Sequence, residues 1–280
     1  MIVYRTRQDV ASHLDATRDL GKRIGFVPTM GALHQGHASL IERAGKENDI
    51  LVVSIFVNPT QFNEPADLEN YPRKMDEDLT MLRDLETDVV FTPSEKEMYP
   101  EEDRRTFDLG GLDNVMEGTF RKGHFNGVAQ VVSKLFETVR PHRAYFGQKD
   151  FQQLVIIRKL VELMNLDISI VGCPIIREPD GLAMSSRNEL LTRAERKAAP
   201  HIYQTLKAAK EQKAMRSPAE VKSWVSGQFE DRSLMELEYF EIVNDTDLRP
   251  VRSWTEPGRK VACIAVRLGK VRLIDNIFFD

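Results

Sequence analysis

Cysteine is scarce in this sequence of 280 residues: Cys173 and Cys263 are the only two, and they do not form a Cys-x-x-Cys pair. So few cysteines exclude a small secreted domain built on a disulfide framework, and their spacing disfavours a zinc site. We therefore expect two buried thiols in a reducing compartment.

Long apolar runs and an excess of one charge are also lacking. The longest apolar run, residues 50–57, is interrupted by Ser54, whereas a membrane helix needs about 20 apolar residues. Arg5, Arg7 and Asp9 lie within the first ten residues, and no uninterrupted apolar stretch of the kind that a signal peptide needs follows them. The net charge is −4, so no basic excess indicates nucleic acid. We predict a cytoplasmic protein with no membrane span and no nucleic-acid partner.

The composition that is present, 41% hydrophobic and 29% charged, is that of an ordinary globular protein. Its length fits about two domains. Residues 1–175 alternate short β-branched runs with amphipathic stretches, which predicts βαβ units and a parallel sheet. We expect an α/β protein with a Rossmann-like domain over residues 1–175 and a smaller α+β domain over residues 176–280.

The predicted elements follow from apolar periodicity. In the first domain we predict strands over 23–27, 50–57, 89–91, 144–146 and 168–171, and helices over 37–47, 71–85, 126–139 and 150–164. In the second we predict helices over 190–206 and 218–229, and strands over 237–243, 261–268 and 271–274. Ser186 and Glu189 match a capping box that would open the helix over 190–206. Gly269-Lys270 is typical of a two-residue hairpin.

The strongest local motif is the segment Val27–His37, which lies between a predicted strand and a predicted helix. Gly36 lets the backbone approach a ligand closely. The helix start offers unpaired N–H groups and a positive dipole end to a phosphate. His34 and His37 can donate to phosphate oxygens as an α-phosphorus is attacked. They can also be surface residues or metal ligands, although no third ligand stands beside them.

Two further segments have groups suited to phosphate. Met184–Arg187 follows the turn dipeptide Asp180-Gly181, and its arginine can bind phosphate bidentately. Gly147–Asp150 leaves a strand and enters a helix, where Lys149 is placed to bind phosphate and Asp150 to cap the helix or accept from a ribose. The residues alone favour a plain capped helix with a solvated arginine for Met184–Arg187, and Gly147–Asp150 can equally be an ordinary capped turn.

Polar residues near these segments suggest a second substrate. Gln61 and Gln153 are neutral amides that either face a substrate or satisfy local backbone groups. Arg121, His124 and Asn126 form a polar loop that can bind a carboxylate or simply lie exposed.

The pairing of His34-Gln35-Gly36-His37 with Met184–Arg187 resembles the HIGH and KMSKS signatures of the nucleotidyl-transferring superfamily that includes class I aminoacyl-tRNA synthetases. The surrounding sequence resembles, more narrowly, the pantoate–β-alanine ligase (pantothenate synthetase) family. The strings that carry this resemblance, in order, are PTMGALHQGHASLI, SIFVNPTQF, YPR, HFNGV, YFGQKDFQQL, DGLAMSSRN and RLIDNI.

The resemblance implies a reaction. Members of this family join (R)-pantoate to β-alanine: the pantoate carboxylate attacks the α-phosphorus of ATP, and β-alanine then attacks the pantoyl adenylate. The products are pantothenate, AMP and pyrophosphate. Mg²⁺ would travel with ATP, without a side-chain metal site or an organic prosthetic group, and the family is usually a homodimer.

The resemblance also assigns roles to residues. His37 matches the family's proton donor, and His34, Lys149, Ser185, Ser186 and Arg187 match phosphate contacts. The ATP-binding positions are Pro28, Met30, Gly31, Ala32, Leu33, His34, Gln35, Gly36, His37, Gly147, Gln148, Lys149, Asp150, Ile176, Met184, Ser185, Ser186 and Arg187. The positions for pantoate and β-alanine are Gln61 and Gln153, with Asn58, Tyr71 and Arg121 nearby. Two residues depart from the family's usual pattern: Lys122 replaces Pro and Asn244 replaces Asp.

Other functions remain open on the residues alone. A nucleotidylyltransferase of the same superfamily would transfer AMP to a phosphate-bearing acceptor, which the neutral pair Gln61 and Gln153 disfavours. An aminoacyl-tRNA synthetase would need an anticodon-binding domain and a basic surface. A regulatory protein could bind the nucleotide without turnover.

Overall fold

A computed structural model describes residues 1–63 and 68–279 of the chain. Its contacts divide into two units, one of Met1–Gln148 and Ile156–Pro174, the other of Lys149–Val155 and Ile175–Asp280. The predicted division near residue 175 places Lys149–Val155 with the first domain, whereas these residues group with the C-terminal unit. The functional assignment of the two domains stays a prediction.

The first unit is built on a six-stranded parallel sheet with strand order β1-β4-β3-β2-β5-β6. β2 and β3 are buried along most of their length, as expected of apolar strands covered on both faces. β2 lies between β3 and β5, where the strand order reverses and where ligands of such sheets gather. The strands are β1 (Ile2–Tyr4), β2 (Ile24–Thr29), β3 (Ile50–Ile55), β4 (Val89–Phe91), β5 (Arg143–Gly147) and β6 (Ser169–Cys173).

Helices surround this sheet. Val27, Val53 and Tyr145 of the strands pack with Ile41 and Leu82 of two helices in one buried cluster. The helices are α1 (Arg7–Asp19), α2 (Gln35–Glu47), α3 (Met75–Asp84), α4 (Glu95–Met98), α5 (Glu117–Phe120), α6 (His124–Val139) and α7 (Phe151–Leu163), the last of which begins in the other unit. In the described part of the chain, no helix combines the length and apolarity needed to cross a membrane.

The C-terminal unit packs helices on an antiparallel sheet of order β7-β8-β9. Its core joins Leu206 and Val225 of the helices to Phe240, Ile264 and Leu273 of the strands. The elements are α8 (Arg193–Ala198), α9 (His201–Gln212), α10 (Pro218–Gly227), β7 (Glu236–Asn244), β8 (Lys260–Leu268) and β9 (Val271–Phe278). The predicted α/β fold with a smaller α+β part is confirmed.

The predicted turn at Gly269-Lys270 is also confirmed. Leu268 pairs with Val271 across the hairpin, and Gly269 has φ of +56°, which favours glycine. The two cysteines are buried and free, as predicted.

The predicted helix over residues 190–206 is two shorter helices in the structure, and its predicted start is wrong. Ser186–Leu190 form a short 3₁₀ turn capped by Ser185, and the true capping box belongs to Thr192 and Glu195. α8 ends at Ala198 and α9 begins at His201 because Pro200 has no N–H to continue a helical ladder. β1 and α1 were not predicted, since β1 is three residues long and α1 buries only Val10, Leu14 and Thr17.

Candidate functional site

The loop that follows β2 turns on Gly31. Its φ is +82°, and an added Cβ would lie 2.9 Å from Asp78 Oδ2 and 3.0 Å from Ile55 Cγ2. Both the backbone conformation and the space therefore require glycine at this position. The Thr29 hydroxyl accepts from the Gly31 N–H at 3.2 Å and donates to the Ser54 carbonyl at 2.7 Å, which ties the loop to β3.

Asp78 of α3 holds the same loop from the other side. Its carboxylate, which is 3% exposed, accepts from the Ala32 N–H at 2.9 Å and from the Leu33 N–H at 2.7 Å. Burial raises the pKa of Asp78, and these two donors oppose that shift. The sequence offers Asp78 only as one of three acids in a helix's first turn, where the helix dipole alone explains it.

His34 and His37 cap the helix that begins after this loop. His34 Nδ1 accepts from the Gly36 N–H at 3.1 Å, and His37 Nδ1 accepts from the His34 N–H at 3.3 Å. The centres of the two imidazole rings lie 4.2 Å apart. Because each Nδ1 accepts, each neutral ring carries its proton on Nε2. Capping and donation to an anion thus use different nitrogens of the same side chains.

The turn after β3 positions Asn58 and Gln61. Asn58 is 1% exposed, and its Nδ2 donates to Gln61 Oε1 and to the Gly127 carbonyl, both at 3.2 Å. Gln61 Nε2 lies 3.0 Å from Met30 Sδ. The structure therefore brings Gln61 next to the loop that follows β2.

Tyr99 is a member of this cluster that the sequence analysis missed. Its hydroxyl donates to Asn58 Oδ1 at 2.7 Å, which leaves the Asn58 amide nitrogen directed at Gln61. Burial raises the pKa of the Tyr99 phenol, so the hydroxyl stays a donor. No local pattern points to Tyr99, because its partner lies 41 positions earlier in the chain.

The loop around Arg121 is exposed at Lys122, but its polar candidates Arg121 and Asn126 are half-buried. His124 is 6% exposed, and its Nδ1 lies 2.7 Å from the Gln61 carbonyl. Since a carbonyl only accepts, Nδ1 carries the proton and Nε2 accepts from Arg121 Nη1 at 3.1 Å.

Gly127 and Asn126 set the position of α6 beside this loop. At Gly127 an added Cβ would lie 2.2 Å from the Thr60 carbonyl oxygen, so only glycine lets α6 approach the turn that carries Gln61. Asn126 instead holds backbone groups of Arg105 and Phe107. Tyr71, 8% exposed, packs edge-to-face on Phe62.

The C-terminal unit holds the remaining candidates. Lys149 lies in a 3₁₀ turn before α7, on whose first turn Gln153 lies half-buried. Ile176 and Met184 face each other in a narrow hairpin, with the Met184 N–H donating to the Ile176 carbonyl at 3.0 Å. Ser185 Oγ then accepts from the Arg187 N–H at 3.3 Å. Among the described residues, no three His, Cys, Asp or Glu side chains gather as a metal cluster.

The fold and the loops define the class of protein: an α/β enzyme with a nucleotide-binding type of parallel sheet. A glycine turn and a histidine-capped helix lie at the carboxyl end of its central strand. The chain belongs to the pantoate–β-alanine ligase family, whose model matches residues 2–278.

Similar proteins agree with this family. The chain is 53% identical to a pantothenate synthetase of Bacteroides thetaiotaomicron over 277 residues, which cover 99% of the chain and 98% of that relative. It is 50% identical to one of Porphyromonas gingivalis over 280 residues, which cover 100% of both.

Solved structures agree as well. The crystal structure of pantothenate synthetase from Thermus thermophilus matches with a TM-score of 0.92 at 39% identity, covering 100% of this chain and 99% of that one. A pantoate–β-alanine ligase from Francisella tularensis, complexed with "Beta-gamma ATP and Beta-alanine", matches with a TM-score of 0.81 at 36% identity, covering 100% and 98%. The resemblance stated from the sequence is confirmed.

Proposed function

We propose that the chain catalyses the reaction of its family, the ATP-dependent condensation of (R)-pantoate with β-alanine to pantothenate. The observation that carries this proposal is the family match over residues 2–278. The complex of the Francisella tularensis ligase supports ATP and β-alanine as two of the substrates.

In the first step, a pantoate carboxylate oxygen attacks the α-phosphorus of ATP, and the bond to pyrophosphate breaks. Negative charge grows on the phosphate oxygens, so donors that are already oriented stabilise the transition state. We assign this role to Nε2 of His34 and His37 and to the backbone N–H groups at the start of α2. We also assign phosphate contacts to Lys149, Ser185, Ser186 and Arg187, as the family resemblance implies.

Pantoate is held by neutral groups in this proposal. Gln61 and Gln153 bind its hydroxyl and carboxylate oxygens, because amides donate without adding charge. Gln61 is suited to this role since Asn58 fixes its oxygen, which leaves the Gln61 amide nitrogen as the donor beside Met30. Arg121 supports the backbone of the same turn, and we expect Tyr71 to close the site.

In the second step, the β-alanine amine attacks the acyl carbon, the bond to AMP breaks, and the amine loses a proton to solvent or to a nearby group. The acyl adenylate must be kept from water. We propose that the segment Met184–Arg187 acts as the lid over the phosphates.

Three further features complete the proposal. Mg²⁺ enters as part of the ATP substrate, bound by the phosphates. The protein works as a homodimer joined through its N-terminal domains. It works in the cytoplasm.

The test is pantoate-dependent exchange of labelled pyrophosphate into ATP, with Mg²⁺ and without β-alanine. We expect exchange, followed by AMP and pantothenate when β-alanine is added. AMP that forms only when both substrates are present would contradict the separate adenylate. No reaction under either condition would contradict the assignment of pantoate as the acceptor.

A further inference from the structure

Two polar residues lie buried near the end of β9. Asp275 and Asn276 are 4% and 3% exposed, in a strand whose neighbours Leu273 and Ile274 are apolar. A buried carboxylate and a buried amide are costly unless both are hydrogen-bonded. Their partners therefore reveal why this strand carries them.

Asp275 binds Arg177 through both carboxylate oxygens. Arg177 Nη1 lies 2.6 Å from Oδ2 and Nη2 lies 3.0 Å from Oδ1. Burial raises the pKa of Asp275, and the charges of Arg177 and Lys149 oppose that shift. The bidentate geometry fixes the orientation of the guanidinium as well as its position.

Arg177 in turn holds the hairpin that leads to Met184. Its Nη1 donates to the Gly181 carbonyl at 3.1 Å, and its guanidinium lies 3.6 Å from the centre of the Tyr203 ring. Gly181 has φ of +95° and packs so tightly on Tyr203 that a Cβ would lie 2.7 Å from its ring. The turn is thus fixed between Arg177 and Tyr203.

Asn276 holds the other segment. Its Nδ2 donates to the Lys149 carbonyl at 3.0 Å, and its own N–H donates to Asp275 Oδ1 at 2.7 Å. Two residues further along, Phe278 packs edge-to-face on Phe151, with ring centres 5.7 Å apart. One short stretch of β9 therefore contacts both the start of α7 and, through Arg177, the hairpin before Met184.

We propose that Asp275 and Asn276 are positioning residues that hold Lys149 and the Met184–Arg187 segment in a fixed relation to each other. The proposal rests on the proposed function, in which these two segments bind the phosphates of ATP. Neither residue touches substrate. They act by placing the backbone from which the phosphate ligands project.

The test is Asn276→Ala in the full-length protein, with ATP affinity measured by calorimetry and by exchange kinetics. Losing one hydrogen bond to the Lys149 carbonyl should weaken ATP binding about fivefold, while the KM for pantoate changes by less than about twofold. Asp275→Asn should weaken ATP binding by about tenfold or more, because Arg177 loses its ionised partner.

A matched control is Glu238→Gln. Glu238 has a side chain 9% exposed and binds Arg267 and Arg272 within the same sheet. We expect it to lower the melting temperature as Asn276→Ala does while ATP affinity stays at the wild-type value. Equal losses of ATP affinity in both variants would show a purely structural role and overturn the proposal.

A double variant separates positioning from general damage. If Asn276 acts through Lys149, adding Asn276→Ala to Lys149→Ala should weaken ATP binding no further, whereas independent roles would add. Wild-type ATP affinity in Asn276→Ala, with normal exchange in the unaltered protein, would contradict this inference and leave the proposed function intact. No reaction in the unaltered protein, with or without β-alanine, would contradict the proposed function, and the calorimetric comparison would still decide the role of Asn276.

Discussion

The two candidate phosphate-binding regions are held in different ways. Around α2, His34 and His37 are fixed by backbone groups within three residues of themselves. In the C-terminal unit, Lys149 is held by Asn276, 127 positions away, and Arg177 by Asp275, 98 positions away. One region is assembled mainly by local sequence and the other by a distant strand, so equivalent substitutions should affect them differently.

The largest effects should come from the phosphate donors themselves. His34→Ala and Lys149→Ala should each lower the rate of adenylation by more than about tenfold, since each removes a donor to developing charge. Pyrophosphate exchange measures this rate, and circular dichroism checks the fold. A near-normal rate in either variant would show that the substituted residue is not a phosphate donor in adenylation.

A further variant of His34 separates its role as a helix cap from its role as a phosphate donor. His34→Asn keeps a good helix cap but lacks the imidazole. It should restore the melting temperature lost in His34→Ala without restoring the rate. Recovery of the rate would mean that His34 acts only as a cap.

Substitutions of the two glutamines should affect the use of pantoate but not the binding of ATP. Gln61→Ala and Gln153→Ala should raise the KM for pantoate by about tenfold and leave ATP affinity unchanged, because neutral hydrogen bonds to the substrate are lost. Steady-state kinetics with each substrate varied in turn measures this. A collapse of ATP binding would show that these side chains are misassigned.

Tyr99→Phe tests the hydrogen bond from the Tyr99 hydroxyl to Asn58, the residue that holds Gln61. Removing the hydroxyl leaves Asn58 Oδ1 without that donor, so Gln61 should be held less firmly and the KM for pantoate should rise about threefold. Tyr4→Phe, in the edge strand β1, is the matched control for loss of a phenol hydroxyl. Equal effects of Tyr99→Phe on the KM values for ATP and pantoate would contradict this role.

The smallest effect on activity should come from Asp103→Asn. Hydrogen bonds from Arg105 hold the pKa of Asp103 far below its ordinary value of 3.8, and Lys134 contributes to the same shift. A lowered pKa in the folded state stabilises the protein fully above that ordinary value, and the stabilisation is lost gradually as the pH falls from there towards the lowered pKa.

The variant should therefore lower the free energy of unfolding by about 2 kcal/mol at pH 7 and by a smaller amount at pH 3, where part of the stabilisation is already lost. Denaturant titrations at both pH values measure the difference, with both KM values unchanged. A loss that is the same at both pH values would show that the charge is not the cause.

Most of the sheet was predictable because β-branched runs of buried strands carry their own signal. The residues 50–57 became β3, and 89–91 matched β4 as predicted. The start of the helix predicted over 190–206 was misplaced because two capping patterns compete there, and the later one, Thr192 with Glu195, prevails. The sequence alone does not show which of two adjacent capping patterns begins the helix.

The roles of the candidate site residues stay predictions, but the residues themselves were recognisable where chemistry and position coincide in one short segment, as at His34–His37 and Met184–Arg187. Asp78, Tyr99 and Asn276 were not, because each acts on a backbone or side-chain group far along the chain. Their residue types are ordinary for a helix start, a loop and a strand. Only the hydrogen bonds in the folded protein show which groups these three residues position.

The histidine caps of α2 have a consequence for the entropy of binding. Each imidazole is already held by a backbone N–H before any ligand arrives, so its rotamer is chosen in advance. A side chain that orders only on binding forfeits about 0.5–1.5 kcal/mol of affinity. In the proposed function, the capped helix thus supplies ATP with two donors whose rotamers were already fixed during folding.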